Sequence, residues 1–358
     1  MWFIVLMMYF LGIKASIKTS IVVKESLAGS SMDMFKKFFL IVLAYTFIFE
    51  FIGAVILTLF WIKEYSIIHS IYLGIFHSVS AFCTAGFSVF PDSLIRYQQS
   101  IVVNGTIIIV SLAGGLGFFV LKDLTGYVVK KIKKQWPCRL TVHTKLVLIV
   151  TTTVIFISTV IVFFSEAWAI DTNTYNRILI SLFQTVSAST TDGFNSVDIG
   201  KMRALSLTVL MFLMFVGASP GSTGGGIKTT TFALLFIFIG SKLQEKRNNV
   251  FKREISSRCI YDALVVFLCF IFVAFLDTMI LSVTERASYI QILFEIFSAL
   301  GNTGLSTGIT PALSAIGKAV LIVTMFIGRV GPLCIAYAVL SRPQQVDIKY
   351  PKEDVFVG

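Results

Sequence analysis

Long apolar segments constrain the fold of this chain more than any other feature of its sequence. A helix needs about 20 apolar residues to cross a bilayer, and six stretches approach or exceed that length: 38–61, 101–121, 144–165, 204–217 continuing with a break through 232–240, 260–283 and 315–340. Hydrophobic residues make up 56 % of the chain and charged residues only 14 %, whereas soluble domains average about 25 % charged residues. The sequence therefore predicts an all-α, polytopic membrane protein and argues against a soluble enzyme.

The charged residues predict the orientation of these helices. Residues 14–37, 122–145 and 241–262 carry net charges of +3, +6 and +3, whereas residues 62–100 are neutral overall and residues 166–203 carry −1. Basic loops are retained in the cytoplasm, so the basic loops and the C-terminus are expected inside a bacterial cytoplasmic membrane and the alternate loops outside. The net charge of +11 then reflects membrane orientation, and no nucleic-acid partner is expected.

One sequence pattern occurs three times along the chain without gaps. Three apolar stretches of about 11 residues are too short to span a bilayer, and each leads into the pattern F-x-x-x-S-A-x-x-x-x-G-[FL]. The glycines of this pattern are Gly86, Gly193 and Gly304, which are 107 and 111 residues apart. The short stretches are 71–82, 178–188 and 290–300. We expect each repeat to contain an outer helix, a re-entrant pore helix, a glycine loop and an inner helix, all parallel around a central pore.

This repeat unit suits the binding of a cation. A short helix that ends at membrane depth directs its negative end towards the axis, and consecutive backbone carbonyls can replace the hydration shell of an ion. Glycine permits the backbone conformation that such a row of carbonyls requires. The alternative is that each glycine only turns a re-entrant loop. The predicted ion-binding residues, acting through their backbone carbonyls, are Cys83, Thr84, Ala85, Gly86, Thr190, Thr191, Asp192, Gly193, Gly301, Asn302, Thr303 and Gly304.

Two side chains of this set allow further hypotheses. The Asp192 carboxylate either raises the local cation concentration at the mouth of the pore or is a solvated loop carboxylate. Cys83 occupies a filter position, whereas the spacing of the other cysteines indicates neither a metal site nor a disulfide framework. Those cysteines are expected to be small packing residues.

A second glycine-rich segment interrupts the apolar helix that begins at 204. Glycine and proline do not maintain a regular helix, so we predict a mobile gate here, with a static helix break as the alternative. A phosphate-binding loop is not expected, because Ile227 separates Gly226 from Lys228 and no strand precedes the segment. The predicted gate residues are Gly217, Ser219, Pro220, Gly221, Gly224, Gly225, Gly226 and Lys228, together with Arg329.

Arg329 lies inside the last apolar segment. A charge at membrane depth is costly and usually faces a pore or a partner. The alternative is an arginine close enough to the inner end of its helix to extend its side chain to the membrane surface.

These loops and motifs resemble the membrane subunit of the Ktr/Trk/HKT superfamily of potassium transporters, most closely the bacterial Ktr type. The resemblance covers essentially the whole chain, and it includes Gly328-Arg329-Val-Gly-Pro332-Leu. It implies that the glycine-rich segment is a gate below the filter and that the arginine is an electrostatic barrier in the pore. It also implies uptake of potassium driven by the membrane potential, with sodium left open as a modulator.

The resemblance further implies a homodimer that binds a cytoplasmic ring of regulatory subunits. The nucleotide would belong to that ring, and this chain would need no cofactor. The loops at 122–145 and 241–258 are the candidate contacts with the ring. A non-transporting membrane scaffold and a secondary transporter for another solute are the alternative functions.

Chains of the superfamily contain four filter loops, and this sequence contains three. We therefore expect the chain to lack the first pore repeat, with residues 1–34 as the remnant of the first inner helix and a cytoplasmic linker. The expected pore units are 35–143 with a filter at 83–87, 144–257 with a filter at 190–194 and a broken inner helix at 205–240, and 258–358 with a filter at 301–305 and a cytoplasmic tail.

Overall fold

A computed structural model of the chain describes residues 32–166, 173–244 and 248–331, with side chains from residue 39 onwards. The expected remnant of the first inner helix, Pro332 and the C-terminal tail lie largely or wholly outside the described residues. The described helices are α1 (Met32–Trp61), α2 (Ile67–Phe82), α3 (Ile101–Leu116), α4 (Phe118–Ile132), α5 (Val142–Ser165), α6 (Thr174–Thr190), α7 (Ala204–Val216), α8 (Thr229–Leu243), α9 (Ser257–Thr284), α10 (Tyr289–Gly301) and α11 (Ala315–Val330).

The chain divides into two compact units, up to Ile48 and from Phe49. The described part of the first unit is the beginning of α1. The second unit contains every other element and all of the contacts discussed below.

Three of the described helices are long and apolar enough to cross a membrane. They are Phe39–Trp61 within α1, Val142–Ser165 and Ser257–Thr284, and the pair α3 and α4 passes the same test as one bent span. These bounds agree within a few residues with the predicted spans 38–61, 144–165 and 260–283. The prediction of a polytopic all-α membrane protein is confirmed.

The quasi-repeat is visible in the order and packing of the helices. A long helix, a short helix and an inner helix follow one another as α1–α2–α3, α5–α6–α7 and α9–α10–α11. The short helix α6 packs against α5, α7 and α3, and α10 packs in the same way against α9, α11 and α7. Each of these two short helices therefore lies between the inner helix of its own unit and that of the preceding unit, as a cyclic arrangement requires.

The short helices are longer than the apolar stretches that predicted them. The predicted stretches 71–82, 178–188 and 290–300 become Ile67–Phe82, Thr174–Thr190 and Tyr289–Gly301. The added residues lie mostly at the N-terminal ends, where polar or exposed residues start the helix before its apolar face begins. The repeated phenylalanines Phe183 and Phe294 of α6 and α10 are buried in the core.

The predicted continuous span at 101–121 is wrong, because the chain breaks at Gly117. The axes of α3 and α4 are bent by 101° there, and Gly117 has a φ of +86°, which favours glycine. The Phe118 amide donates to the Gly221 carbonyl at 3.1 Å, so a neighbouring segment replaces an acceptor of the helix. The small residues of Gly114-Gly115-Leu-Gly117 are as typical of close helix packing as of a bend.

Two basic loops have defined local structure in the described residues. Between α8 and α9 a short antiparallel hairpin pairs Asn249 with Glu254 and Val250 with Arg253. Between α4 and α5 the Asp123 carboxylate accepts hydrogen bonds from the amide and the hydroxyl of Thr141, both at 2.9 Å.

The start of α11 is fixed to the end of α9 by one serine. The Ser314 hydroxyl accepts a hydrogen bond from the Gly317 amide at 3.0 Å and so caps α11. The amide of Ser314 donates to Glu285 at 3.0 Å, and its hydroxyl donates to the same carboxylate. These hydrogen bonds from Ser314 lower the pKa of Glu285, since they stabilise the ionised form.

We expect Ser314→Ala to lower the free energy of unfolding by about 1 kcal/mol, the usual contribution of a serine cap. Thermal unfolding in detergent measures this change. Thr208→Ala is the matched control, because the exposed Thr208 hydroxyl donates to the Ala204 carbonyl of its own helix and caps no helix. An equal loss in both variants would contradict the capping role.

The same contact has a pH dependence of defined sign. The folded-state pKa of Glu285 is lowered. Its contribution to the free energy of unfolding is therefore complete above the unfolded-state pKa of about 4.3, and it is lost as the pH falls through the folded-state pKa. Glu285→Gln should remove this acid-dependent part of the unfolding curve.

Candidate ion filter and gate

The three glycine loops begin with the same backbone closure at the C-terminal end of a short helix. The residue two positions before the repeated glycine is left-handed in every loop, with φ of 49° at Thr84, 57° at Thr191 and 52° at Asn302. The next amide donates to the carbonyl of the repeated serine at 2.8–2.9 Å, in the pairs Ala85–Ser80, Asp192–Ser187 and Thr303–Ser298. This is the Schellman closure of a helix end, and it explains why the serine recurs in the repeat.

The hydroxyl of the repeated serine supports two of the three loops. Ser187 Oγ accepts from the Gly193 amide at 3.2 Å and donates to the Phe194 carbonyl at 2.6 Å. Ser298 Oγ accepts from the Gly304 amide at 3.1 Å. The Ser80 hydroxyl has no hydrogen-bond partner among the described residues, so the first loop is held mainly through its backbone.

A second set of polar side chains holds the segment beyond each glycine, and sequence reasoning missed it. His77 Nε2 lies 3.0 Å from Ser88 Oγ, Gln184 Nε2 donates to Ser196 Oγ at 3.3 Å, and Ser306 Oγ donates to Glu295 Oε1 at 2.6 Å. His77, Gln184 and Glu295 occupy the same position of the repeat, directly after its phenylalanine. A polar residue at that place in every repeat of an otherwise apolar helix was the available signal.

The three loops lie side by side in the order of the sequence. A Cβ atom added to Gly86 would collide with the carbonyl oxygen of Asp192, and one added to Gly193 would collide with that of Thr303. The φ angles of Gly86 and Gly193 are +66° and +96°, so close approach and backbone conformation both require glycine there. The structure thus brings together the predicted filter segments 83–87, 190–194 and 301–305.

The side chains of Cys83 and Asp192 have different surroundings. Cys83 is exposed at the end of α2, and its Sγ lies 3.9 Å from Glu50 Oε1. Asp192 is fully buried and accepts a hydrogen bond from the Ser111 hydroxyl of α3. The alternative of a solvated loop carboxylate at Asp192 is therefore wrong, because α3 covers this side chain.

The glycine-rich segment between α7 and α8 lies directly against the C-terminal ends of the short helices. The Thr223 hydroxyl donates to the Phe82 carbonyl at 3.0 Å, and the Gly225 amide donates to Thr191 Oγ1 at 2.9 Å. A Cβ atom on Gly225 would collide with the Gly301 carbonyl. One segment therefore contacts all three pore-helix ends.

The same segment is joined to the break between α3 and α4. The amides of Ser219 and Thr223 donate to the carbonyls of Gly115 and Gly114 at 3.1 and 3.2 Å. The Ser219 hydroxyl donates to the Leu116 carbonyl. Together with the Phe118–Gly221 bond, these contacts give the irregular backbone the partners that it needs at membrane depth.

Two cationic side chains bind carbonyls of this segment. Arg329 Nη1, on the last turn of α11, donates to the Thr223 carbonyl at 2.6 Å. Lys228 Nζ donates to the carbonyls of Gly224 and Gly225 at 2.6 and 3.3 Å. The predicted gate residues from Gly217 to Lys228, which include Pro220 and Gly226, thus lie in one segment, and Arg329 contacts that segment from a different pore unit.

Known proteins are similar to this chain along most of its length. Residues 1–348 match the family model described as TrkH: Cation transport protein. The Ktr system potassium uptake protein B of Bacillus subtilis is 36 % identical over 367 residues, which covers 100 % of this chain and 80 % of the relative. The potassium/sodium uptake protein NtpJ of Enterococcus hirae is 34 % identical over 354 residues, covering 96 % of this chain and 77 % of the relative.

A solved structure has a similar fold. The crystal structure of the potassium transporter TrkH from Vibrio parahaemolyticus superposes with a TM-score of 0.67 at 21 % sequence identity, covering 96 % of this chain and 69 % of that one. At this level of identity the similarity concerns the fold alone.

Gly193→Ala should lower the free energy of unfolding by about 1–3 kcal/mol, the cost of a strained left-handed residue, because the new Cβ also meets the Thr303 carbonyl. Thermal unfolding in detergent tests this expectation. Gly105→Ala is the matched control, since a Cβ there meets no described atom within 4 Å and alanine favours the helix. A Gly193→Ala protein as stable as the control would refute the close packing of the loops.

Proposed function

This chain belongs to the TrkH family of cation transport proteins, and we propose that it takes up potassium ions across the membrane through a pore lined by its three glycine loops. The observation that carries the proposal is the common construction of the loops, which end three short helices in one way and lie with their backbones in contact. The family comprises cation transporters, so an enzymatic reaction is not part of the proposal.

The proposed pathway uses the physical properties of the loops. The C-terminal ends of α2, α6 and α10 supply partial negative charge, and the carbonyls that follow supply oxygen ligands for a dehydrated cation. An inside-negative membrane potential drives the cation inwards with about 2.3 kcal/mol per 100 mV for each charge. Neither step requires a cofactor in this chain.

We assign the gate to residues 217–228. This segment lies against the ends of the three short helices and is closed by hydrogen bonds to the α3–α4 break and to Arg329. Each of these bonds uses a backbone carbonyl or amide that water could replace in an open pore. The segment can therefore move without leaving an unsatisfied buried group behind.

Potassium is favoured over another solute because the Bacillus relative is a potassium uptake protein. The Enterococcus relative is a potassium/sodium uptake protein, so sodium is the competing cation that a test must include. A non-transporting scaffold is less favoured, since its function would leave the conformational constraint on Gly86 and Gly193 without a purpose.

We further propose a homodimer that binds a cytoplasmic, nucleotide-binding regulatory ring. The Bacillus relative belongs to a Ktr system, which supports a multi-component assembly. The basic loops at 122–145 and 241–258 are the proposed contacts, and the hairpin of Asn249–Val250 with Arg253–Glu254 gives the second loop a defined shape. In this orientation the glycine loops lie outside.

Complementation tests the transport function. A potassium-uptake-deficient bacterium should grow at low potassium when it expresses this chain, and likewise when it expresses a version extended at its N-terminus by a fourth pore unit. Uptake assays with potassium and sodium in separate arms determine the cation. Growth with neither version, at confirmed levels in the membrane, would favour the scaffold or another solute.

The gate assignment predicts that weaker closure increases flux. Arg329→Gln, which removes the guanidinium bond to Thr223, and deletion of Gly221–Gly226 should both raise cation flux in proteoliposomes or change its voltage dependence. Arg177→Gln is the control, because this arginine lies at the start of α6 and not at the gate. Unchanged flux in both gate variants of a conducting protein would reject the assignment.

A further inference from the structure

The Asp192 carboxyl group is the buried acid closest in sequence to a filter glycine, and the proposed transport gives it no role beyond its backbone carbonyl. Its side chain is 0 % exposed. Its Oδ2 accepts a hydrogen bond from the Ser111 hydroxyl, and its Oδ1 has no hydrogen-bond partner among the described residues. A carboxyl group so placed is costly unless something compensates its charge.

This acid breaks the symmetry of the repeats. The equivalent residues of the other two loops are Ala85 and Thr303, neither of which can carry a charge. Ser111 lies six residues before Gly117, where α3 ends, and the residue six before Gly217 in α7 is Met211. Among the described units, a carboxyl group such as Asp192 therefore occurs together with a hydroxyl such as Ser111 only at the middle loop.

No cationic side chain of the described residues pairs with Asp192. The ion pair found in that part of the chain joins Lys201 and Asp198. The two cations of the gate, Lys228 and Arg329, donate to carbonyls of Gly224, Gly225 and Thr223. The Asp192 backbone lies against Gly86, and the Gly86 amide faces the Asp192 carboxyl group, so this buried acid lies beside two of the glycine loops.

We propose that the Asp192 carboxylate, positioned by Ser111, is the fixed counter-charge of the filter and raises its affinity for a monovalent cation. The inference rests on the proposed transport of potassium and identifies a determinant of ion affinity within it. Asp192 acts through its field, and Ser111 is a positioning residue that holds the carboxylate against α3. The passing ion completes the electrostatic balance of the buried acid.

A fixed charge acts strongly on a nearby ion where water is largely excluded. Because the interaction of two charges grows as the dielectric falls, removing a fixed charge beside the glycine loops should weaken the binding of a partly dehydrated ion about tenfold. The same charge at the solvated surface is screened and changes binding little. These two cases separate a filter charge from a surface charge.

The test measures potassium binding and transport on the same purified protein in lipid. Potassium chloride is titrated against choline chloride while the unfolding temperature is followed, since a bound ion stabilises the folded state. Asp192→Asn and Asp192→Ala should both require about tenfold more potassium than the wild type, and Asp192→Glu should require less than either. In flux assays the KM for potassium should rise by a larger factor than the maximal rate falls.

Asp198→Asn is the matched control, because it removes an exposed carboxylate that pairs with Lys201. Asp192→Asn protein that titrates like the wild type would overturn the proposal, and so would equal shifts in both variants or a wild type that potassium does not stabilise. If Asp192→Asn fails to fold, Ser111→Ala decides, since it should also raise the potassium requirement and an unchanged value overturns the proposal.

These measurements distinguish a failure of the transport function from a failure of the counter-charge. A wild type that binds potassium in an Asp192-dependent manner but supports no flux would contradict the transport function and leave the counter-charge standing. A wild type that transports potassium with an affinity indifferent to Asp192→Asn would do the reverse.

Discussion

Irregular backbone inside a membrane must find hydrogen-bond partners within the protein or in a water-filled cavity, and the rest of this structure depends on how the three glycine loops meet that constraint. The repeated serine is the main device. Its carbonyl closes the end of the short helix in all three loops, and its hydroxyl binds the glycine amide in two of them. The polar side chains His77, Gln184 and Glu295 then hold the segment that follows each glycine. With both sides held, the loops can lie backbone against backbone.

The contacts of the proposed gate follow from the same constraint. The segment 217–228 leaves a helix and therefore has free amides and carbonyls, which it satisfies with the ends of the short helices and with the break at Gly117. The bend of 101° between α3 and α4 is thus the counterpart of this segment, since each break supplies acceptors and donors to the other. Arg329 adds a link to the last inner helix, so three pore units meet at the segment that we propose as the gate.

Sequence reasoning was accurate where a pattern is local and periodic. Apolar length predicted the spans at α1, α5 and α9, and the repeat located the three short helices and their loops. It was wrong at 101–121, because the sequence Gly114-Gly115-Leu-Gly117 is as compatible with tight packing as with a bend, and the deciding acceptor is the carbonyl of Gly221, about a hundred residues away. It also missed His77, Gln184 and Glu295, whose serine partners lie in loops without a strict spacing.

The sequence by itself determined that this chain is a polytopic helical membrane protein of repeated pore units, because hydrophobic length and a recurring motif are properties of short stretches of chain. Only the tertiary structure decided that the loops of different units touch, that Arg329 reaches Thr223, and that Asp192 is buried against Ser111 and not in solvent. The last two of these contacts join residues 106 and 81 positions apart, and the loops that touch belong to different repeats. Such contacts arise from the packing of whole helices, which no local pattern encodes.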